Sequence, residues 1–458
     1  MIKAAIPRGE WIDLHVAEHG WRDALVLLLI SLFATGSSLS SPAAAAERLT
    51  LSQTLDLALK EKPNLGAASA RSSEAEADYA IAAAGLLPKV AANASVSRLN
   101  EDRLGPLDSS SSALYTRESF GGVTGRQLLF DGGKTSASKS AAQRGVEAGR
   151  MGFQATREET VYQVSQAFAR ALDARDTVRV AASALKRQQA FEALTTDFFK
   201  AGKTTRLDVL KAEAARLDAE RVLANTRETE KMSVVSLAQA IGLRPVQAFS
   251  VEGELPGRFE EPSPDDEMLQ TAAARNPDVK QALLQVAQAE ENLRSAQAAR
   301  KPELALLGSY GYRERDIGGS APEWIVGLAG TWTLYDGGAL PAQSEKTRAR
   351  LNQAREAERS VELGVRTLMK DALRAWRTAL NDARASAKLV EANSESLKAA
   401  EVLYRSGKAT ALDVLTAQAD LARAEGAQVR AAADYAVARY AVARLVGNPL
   451  ELESESKP

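Results

Sequence analysis

The chain contains no cysteine, and its two histidines, His15 and His19, both lie near the N-terminus. A mature chain that starts after Ala46 has neither residue type. Thiol nucleophiles, histidine acid–base pairs and Cys/His metal sites are then excluded. Cysteine gives no reading of redox compartment. The net charge of -1 argues against a nucleic-acid partner. No apolar run reaches the roughly 20 residues that a membrane-spanning helix needs. A mature chain that enters a membrane must therefore do so with strands. The composition points away from an enzyme, and no cofactor or metal is expected.

The N-terminus reads as a secretory signal over 1–46. Arg8 and Arg22 supply positive charge, Ala24 to Ala34 form a short apolar core, and Ala44-Ala45-Ala46 offers a small-x-small cleavage motif before Glu47. No cysteine follows the apolar core, so a lipid-modified N-terminus is not expected.

What is present is a sequence written twice. Phe199-Lys200-Ala201-Gly202-Lys203-Thr204-Thr205-Arg206-Leu207-Asp208-Val209-Leu210 returns as Tyr404-Arg405-Ser406-Gly407-Lys408-Ala409-Thr410-Ala411-Leu412-Asp413-Val414-Leu415. Leu129-Phe130-Asp131-Gly132-Gly133 returns as Leu334-Tyr335-Asp336-Gly337-Gly338, and Ile241-Gly242 as Val446-Gly447. All three pairs are 205 positions apart, as 413 − 208 shows. One fold plan must explain both halves: a first repeat over 47–243, a proline-bearing linker over 244–264, a second repeat over 265–447 and a polar tail over 448–458.

Each repeat predicts a helix, two strands, a very long helix, a glycine break and a return helix. The first helix is Leu49 to Leu87, interrupted near Pro63, and its counterpart is about Asp265 to Arg300, interrupted at Pro277. Pro63 and Pro277 are 214 apart, so the first repeat holds nine more residues between the prolines and the Asp-Gly-Gly signals. The polar segment Glu101 to Ser112 is the place for them, as a loop on the outer face. Strands are expected over about 88–100, 119–130, 302–313 and 323–335. In the second pair Leu304, Leu306, Tyr310 and Tyr312 share one parity, as do Trp324, Val326, Leu328, Trp332 and Leu334. Arg313 to Pro322 reads as their turn. The long helices run over 134–200 and 339–406 and are rich in Ala, Leu, Arg, Glu and Gln. At ~1.5 Å per residue each reaches about 100 Å, too long for a compact globule. Turns over 201–205 and 406–410 lead into return helices over 205–243 and 410–446. A first helix and a return helix placed end to end match one long helix.

Gly133-Lys134-Thr135 and Gly202-Lys203-Thr204 resemble phosphate-loop endings, but Leu128 and Asp197 stand where the loop's first glycine belongs. Asp131, Gly132 and Gly133, with Asp336, Gly337 and Gly338, mark where strand becomes helix. Their glycines permit unusual φ, and the aspartate satisfies freed amides. Thr205-x-x-Asp208 and Thr410-x-x-Asp413 are capping boxes after the helix-ending Gly202 and Gly407. Capping alone explains these residues. Repeated around an oligomer, the same tip would also present Asp208 and Asp413 as carboxylate rings. Lys203 and Lys408 read as solvated tip charges with partner docking as a second role.

These paired (F/Y)xxGxxTxLDVL turns and (F/Y)DGG crossovers, with the prolines at 63 and 277, resemble the TolC-like outer-membrane efflux proteins. The resemblance covers Leu49 to Gly447. It implies a mainly α fold with membrane β structure: a homotrimer whose α-helical barrel is continuous with a 12-stranded β-barrel in outer-membrane lipid. It implies a passive export channel of a tripartite efflux or type I secretion system, projecting into the periplasm. The partners implied are a periplasmic adaptor protein and, through it, an inner-membrane pump. It places adaptor docking at Gly202, Lys203, Thr205, Leu207, Gly407, Lys408, Thr410 and Leu412, and a tip gate at Asp208 and Asp413. Two positions depart from the family pattern. Thr416 stands where some members carry a second acidic ring, and Ala409 where some carry an arginine that locks the tip. The alternative reading is a structural coiled-coil protein of the cell envelope with no pore.

Overall fold

The computed structural model describes residues 47–98, 117–243, 249–315 and 319–447. The first half runs β1 (Glu47–Leu49), α1 (Leu51–Glu61), α2 (Pro63–Ala84), β2 (Lys89–Arg98), β3 (Arg117–Phe130), α3 (Lys134–Lys200) and α4 (Arg206–Ile241). The second runs β4 (Phe249–Val251), α5 (Asp265–Arg275), α6 (Pro277–Ala298), β5 (Glu303–Arg315), β6 (Gly319–Thr331), α7 (Ala339–Arg405) and α8 (Ala411–Val446).

The two long helices, α3 and α7, have 67 residues each. No proline interrupts α3, and Pro341 of α7 lies in the first turn, where its missing N–H costs nothing. Both stop at glycines with positive φ, Gly202 at 70° and Gly407 at 73°. The return helices α4 and α8 then pack antiparallel against them.

The shorter helices extend these hairpins. Lys62 ends α1, and Pro63 opens α2 at a position that tolerates proline. The C-terminus of α4 abuts this joint: a Cβ added to Gly242 would lie 3.0 Å from the Lys62 Cα. In the second half a Cβ on Gly447 would lie 3.1 Å from the Arg275 carbonyl oxygen, beside the α5–α6 joint. Thus α4 and α2, of 36 and 22 residues, succeed one another along the flank of α3.

Apolar cores sit at two levels. Near the joints, Leu55, Val164, Phe168, Leu237 and Ile241 pack in the first half, and Met369, Leu373, Trp376, Tyr435 and Val442 in the second. Tyr435 is fully buried, and its hydroxyl accepts from the Glu260 N–H at 2.8 Å, which ties the inter-repeat segment to α8. Nearer the tips, Phe191, Ala212, Leu397, Tyr404, Val414 and Leu421 join the two hairpins.

The four longer strands form one antiparallel sheet in the order β2-β3-β5-β6. The turn expected over Arg313 to Pro322 is largely strand. β5 continues to Arg315, and Pro322 lies within β6 opposite Tyr312. Proline is tolerated because β6 is an edge strand of this sheet. At the other end β6 stops at Thr331, and Trp332 instead donates its indole N–H to the Arg300 carbonyl at 3.2 Å. The segment Glu101 to Ser112, expected as an outer loop, lies outside the described residues.

Candidate functional site

Register divides the sheet into two chemically distinct faces. On one face Val90, Val96, Val123, Leu306, Tyr310, Tyr312, Trp324, Val326 and Leu328 align across the strands. Trp324 and Val96 are 71% and 72% exposed, a density of bare apolar surface that a water-facing sheet avoids. The opposite face carries Asn93, Glu118, Thr124, Arg126, Glu303, Ser309, Arg313 and Glu323. Its polar groups satisfy one another. Arg313 bridges Glu118 of β3 and Glu323 of β6, Arg126 pairs with Glu303, and Asn93 donates to Thr124 at 2.7 Å. Phe120 lies between the Arg313 guanidinium, 5.3 Å from its ring, and the directly opposed Gly122 and Gly311. Alternation along β5 and β6 marks their share of the apolar face in the sequence alone, whereas Val90, Val96 and Val123 of the first strand pair join it only through the register. The ion pairs needed the register, because Glu118 and Arg313 are 195 positions apart.

The strand-to-helix crossovers are built alike. Asp131 accepts from the Gly133 N–H at 3.0 Å and the Thr135 N–H at 2.7 Å. Asp336 does the same with Gly338 at 3.0 Å and Leu340 at 2.6 Å. Gly132, Gly133, Gly337 and Gly338 all take positive φ. Burial pushes the Asp131 carboxyl up, but hydrogen bonds from Thr135, Gly133 and Lys134 outweigh it and hold the group below the ordinary carboxylate value.

At the opposite end both capping boxes form. Thr205 caps α4: its hydroxyl accepts from the Asp208 N–H at 3.2 Å. Asp208 in turn accepts from the hydroxyls of Thr205 and Thr204 at 2.7 and 2.8 Å. Thr410 and Asp413 repeat this at α8, with Asp413 accepting from the Thr410 N–H and hydroxyl, both at 2.8 Å. The Thr205 hydroxyl is the first cause of a lowered Asp208 pKa, and the Thr410 backbone N–H of a lowered Asp413 pKa. Both carboxylates are therefore ionised at neutral pH. Capping engages one oxygen, Oδ2, of each.

Around these boxes the turns are bare. Gly202, Lys203, Gly407 and Lys408 are exposed, and Leu207 and Leu412 are 59% and 55% exposed. Lys203 is exposed with its ammonium 5.7 Å from the Phe198 ring centroid. Phe198 stacks on Tyr404, 5.7 Å between centroids, which couples the two hairpins close to their ends. Higher up, Arg187 of α3 makes a two-pronged ion pair with Glu425 of α8 at 2.7 and 3.2 Å, and Arg170 pairs with Asp434 at 2.7 Å. Among the described residues no helix is long and apolar enough to cross a membrane, and no cluster of acidic or histidine side chains is arranged to hold a metal ion.

The family model described as outer membrane efflux protein matches residues 54–243 and 268–448, both repeats in turn. The chain belongs to the outer membrane efflux protein family. It is 27% identical over 387 residues to the pyoverdine export outer membrane protein OpmQ of Pseudomonas putida, covering 83% of this chain and 82% of that one. It is 27% identical over 422 residues to the outer membrane efflux protein BepC of Brucella suis, covering 88% and 86%. The crystal structure of the outer membrane protein VceC of Vibrio cholerae superposes with a TM-score of 0.74 at 21% identity, over 87% of this chain and 96% of that one. The family's place is the outer membrane, and its role is transport rather than catalysis. The apolar face of the sheet has the chemistry of a lipid-facing surface, and the Arg313 face that of a water-filled interior.

Proposed function

We propose that three copies of this chain form a passive export duct of a tripartite efflux or type I secretion assembly. Its sheets close a 12-stranded barrel in the outer membrane, and its helices form a tube through the periplasm. The observation that carries this reading is the four-stranded sheet with two unlike faces and two unpaired edges, β2 and β6. Four strands are too few to close a membrane barrel, and an open edge cannot face lipid. β6 and β2 run in opposite directions, so the β6 edge of one copy can continue antiparallel into the β2 edge of the next.

At the far end the exposed Leu207 and Leu412, beside Lys203 and Lys408, supply an apolar and cationic surface on which a periplasmic adaptor docks and couples the duct to an inner-membrane pump. Asp208 and Asp413 supply six carboxylates around the entrance of the trimer. Reconstitution in planar bilayers tests the duct directly. A heat-sensitive trimer with stepwise conductance is expected. A monomer that stays soluble without detergent, or a trimer with no conductance, overturns the reading.

A further inference from the structure

The duplication that sets the helices also sets the sheet. β3 maps onto β6 at an offset of 205, where Glu118, Gly122 and Gly125 fall on Glu323, Gly327 and Gly330. β2 maps onto β5 at an offset of 214, where Ala91 and Ser95 fall on Ala305 and Ser309. The hairpin registers obey the same two offsets. Lys89 pairs with Arg126 in the first hairpin, and their equivalents Glu303 and Thr331 pair in the second.

The junction between the repeats, β3 with β5, has no such counterpart within the chain. Its equivalent pairs β6 with a β2, and the chain's own β2 lies at the other edge of the sheet. The end of β6 shows the lack. β2 accompanies β3 only as far as Arg126, and β5 carries it on to Phe130 past a shift in register after Leu128. β5 accompanies β6 as far as Thr331, the equivalent of Arg126, and there β6 stops. Among the described residues no strand pairs with Trp332 to Tyr335. Leu334 and Tyr335 are 80% and 88% exposed, against 51% and 53% for their equivalents Leu129 and Phe130.

We infer that β6 docks on the β2 edge of a second copy in the register that β3 and β5 adopt within one chain, an inference that rests on the trimeric reading above. Carried across by the two offsets, the pair Val123–Tyr310 becomes Leu328 with the next copy's Val96. Gln127–Leu306 becomes Trp332 with the next copy's Ala92, and Phe130–Leu304 becomes Tyr335 with its Val90. β6 therefore lengthens past Thr331 on assembly and takes its bulge at Leu334. Leu328 and Val96 both belong to the apolar face, so this register keeps that face continuous from copy to copy, whereas a slip of one residue would invert it. Junctions within and between chains then alternate around the barrel with one geometry.

The chain has no cysteine, so introduced pairs report the register directly. Leu328→Cys with Val96→Cys is placed in the full-length protein, and membranes are oxidised with copper phenanthroline. A disulfide needs Cα atoms within about 7 Å, which directly opposed residues satisfy and residues displaced by two positions along the face do not. Closing every junction of the ring should give a trimer band that survives heating on a non-reducing gel and falls to monomer on reduction. Leu328→Cys combined with Ala94→Cys or with Arg98→Cys, the registers shifted by two residues either way, should leave only monomer after heating. Tyr335→Cys with Val90→Cys should lock the trimer too. Locking through Ala94 or Arg98 instead of Val96 would overturn the register and leave the duct intact. Locking at Leu328 but not at Tyr335 would overturn the lengthening of β6. Absence of any trimer from the unsubstituted protein on unheated gels would overturn the trimeric reading itself. Should the Leu328 pair fail to assemble, Ala329→Cys with Ser95→Cys, the equivalent of Thr124–Ser309 on the opposite face, decides in its place: a locked trimer supports the register, and an assembled but unlocked one refutes it.

Discussion

Replacing Asp208 and Asp413 together by asparagine separates two roles that one side chain fills at each tip. Asparagine keeps a side-chain oxygen that can accept from the Thr205 and Thr410 amides, so each capping box retains its geometry while six charges leave the trimer. The charge effect can be estimated. A divalent cation about 7 Å from one carboxylate in high dielectric gains roughly 1.2 kcal/mol, so a ring of three supplies about 3.5 kcal/mol, a few hundredfold in blocking concentration. At ~0.1 M salt, screening over a Debye length of about 10 Å leaves about half of this, or roughly twentyfold. In planar-bilayer recordings the double variant should conduct as a trimer, lose cation preference, and need about twentyfold more divalent cation for half-block. That gap should widen as salt is lowered. The complementary pair, Thr205→Ala with Thr410→Ala, removes capping hydroxyls and keeps the charges. It should lower thermal stability by about 1 kcal/mol per cap and leave the block in place. An assembled asparagine variant with unchanged block and selectivity would reduce both aspartates to helix caps.

Glu158 is buried, and only its Oε1 has a partner, Gln154 at 3.0 Å. Burial first, and Asp278 further, raise its pKa. Its native form holds its proton to higher pH than the unfolded chain does, so its presence lowers stability as pH rises above the ordinary carboxylate value. Glu158→Gln should therefore raise the melting temperature at pH 7.5 and leave it nearly unchanged at pH 4. In the barrel, a Cβ on Gly122 would meet the Tyr310 carbonyl oxygen at 2.6 Å, whereas one on Gly121 meets nothing within 4 Å. Gly122→Val should abolish the trimer band on unheated gels, and Gly121→Ala should keep it. Arg313→Ala removes the cation that bridges Glu118 and Glu323 and makes this face of the sheet one unit more negative, so in the proposed barrel bilayer reversal potentials should shift toward cation preference.

Much of this architecture is legible because a few residues dictate it locally. The limits of α3 follow from a proline-free run between two glycine signals, and the joints from Pro63 and Pro277. The capping boxes are written in four residues each, and their hydrogen bonds form as that spacing requires. The β5–β6 turn misled because Gly318-Gly319 and Pro322 are turn-forming residues in isolation. Pairing across the sheet overrides that preference and carries β5 to Arg315. The lumen ion pairs and the Arg187–Glu425 bridge were out of reach for a different reason. They join residues about 200 positions apart, and only the strand register and helix packing bring such residues together. The apolar side of α3 was equally hard to read, since small alanines do much of its packing and give little contrast with the exposed side.

The joint beside Gly242 has a mechanical consequence. α3 passes this level as a single strut, while its neighbour is articulated there, with 36 residues of α4 below the break. At ~1.5 Å per residue that lower piece is a lever of about 54 Å, so each degree of tilt at the joint carries its far end about 0.9 Å. A ten-degree tilt moves the end by about 9 Å, nearly a helix diameter, while the backbone adjusts over only a few residues around Lys62 and Gly242. Any rotation at this joint would be amplified at the tip turn that precedes Arg206.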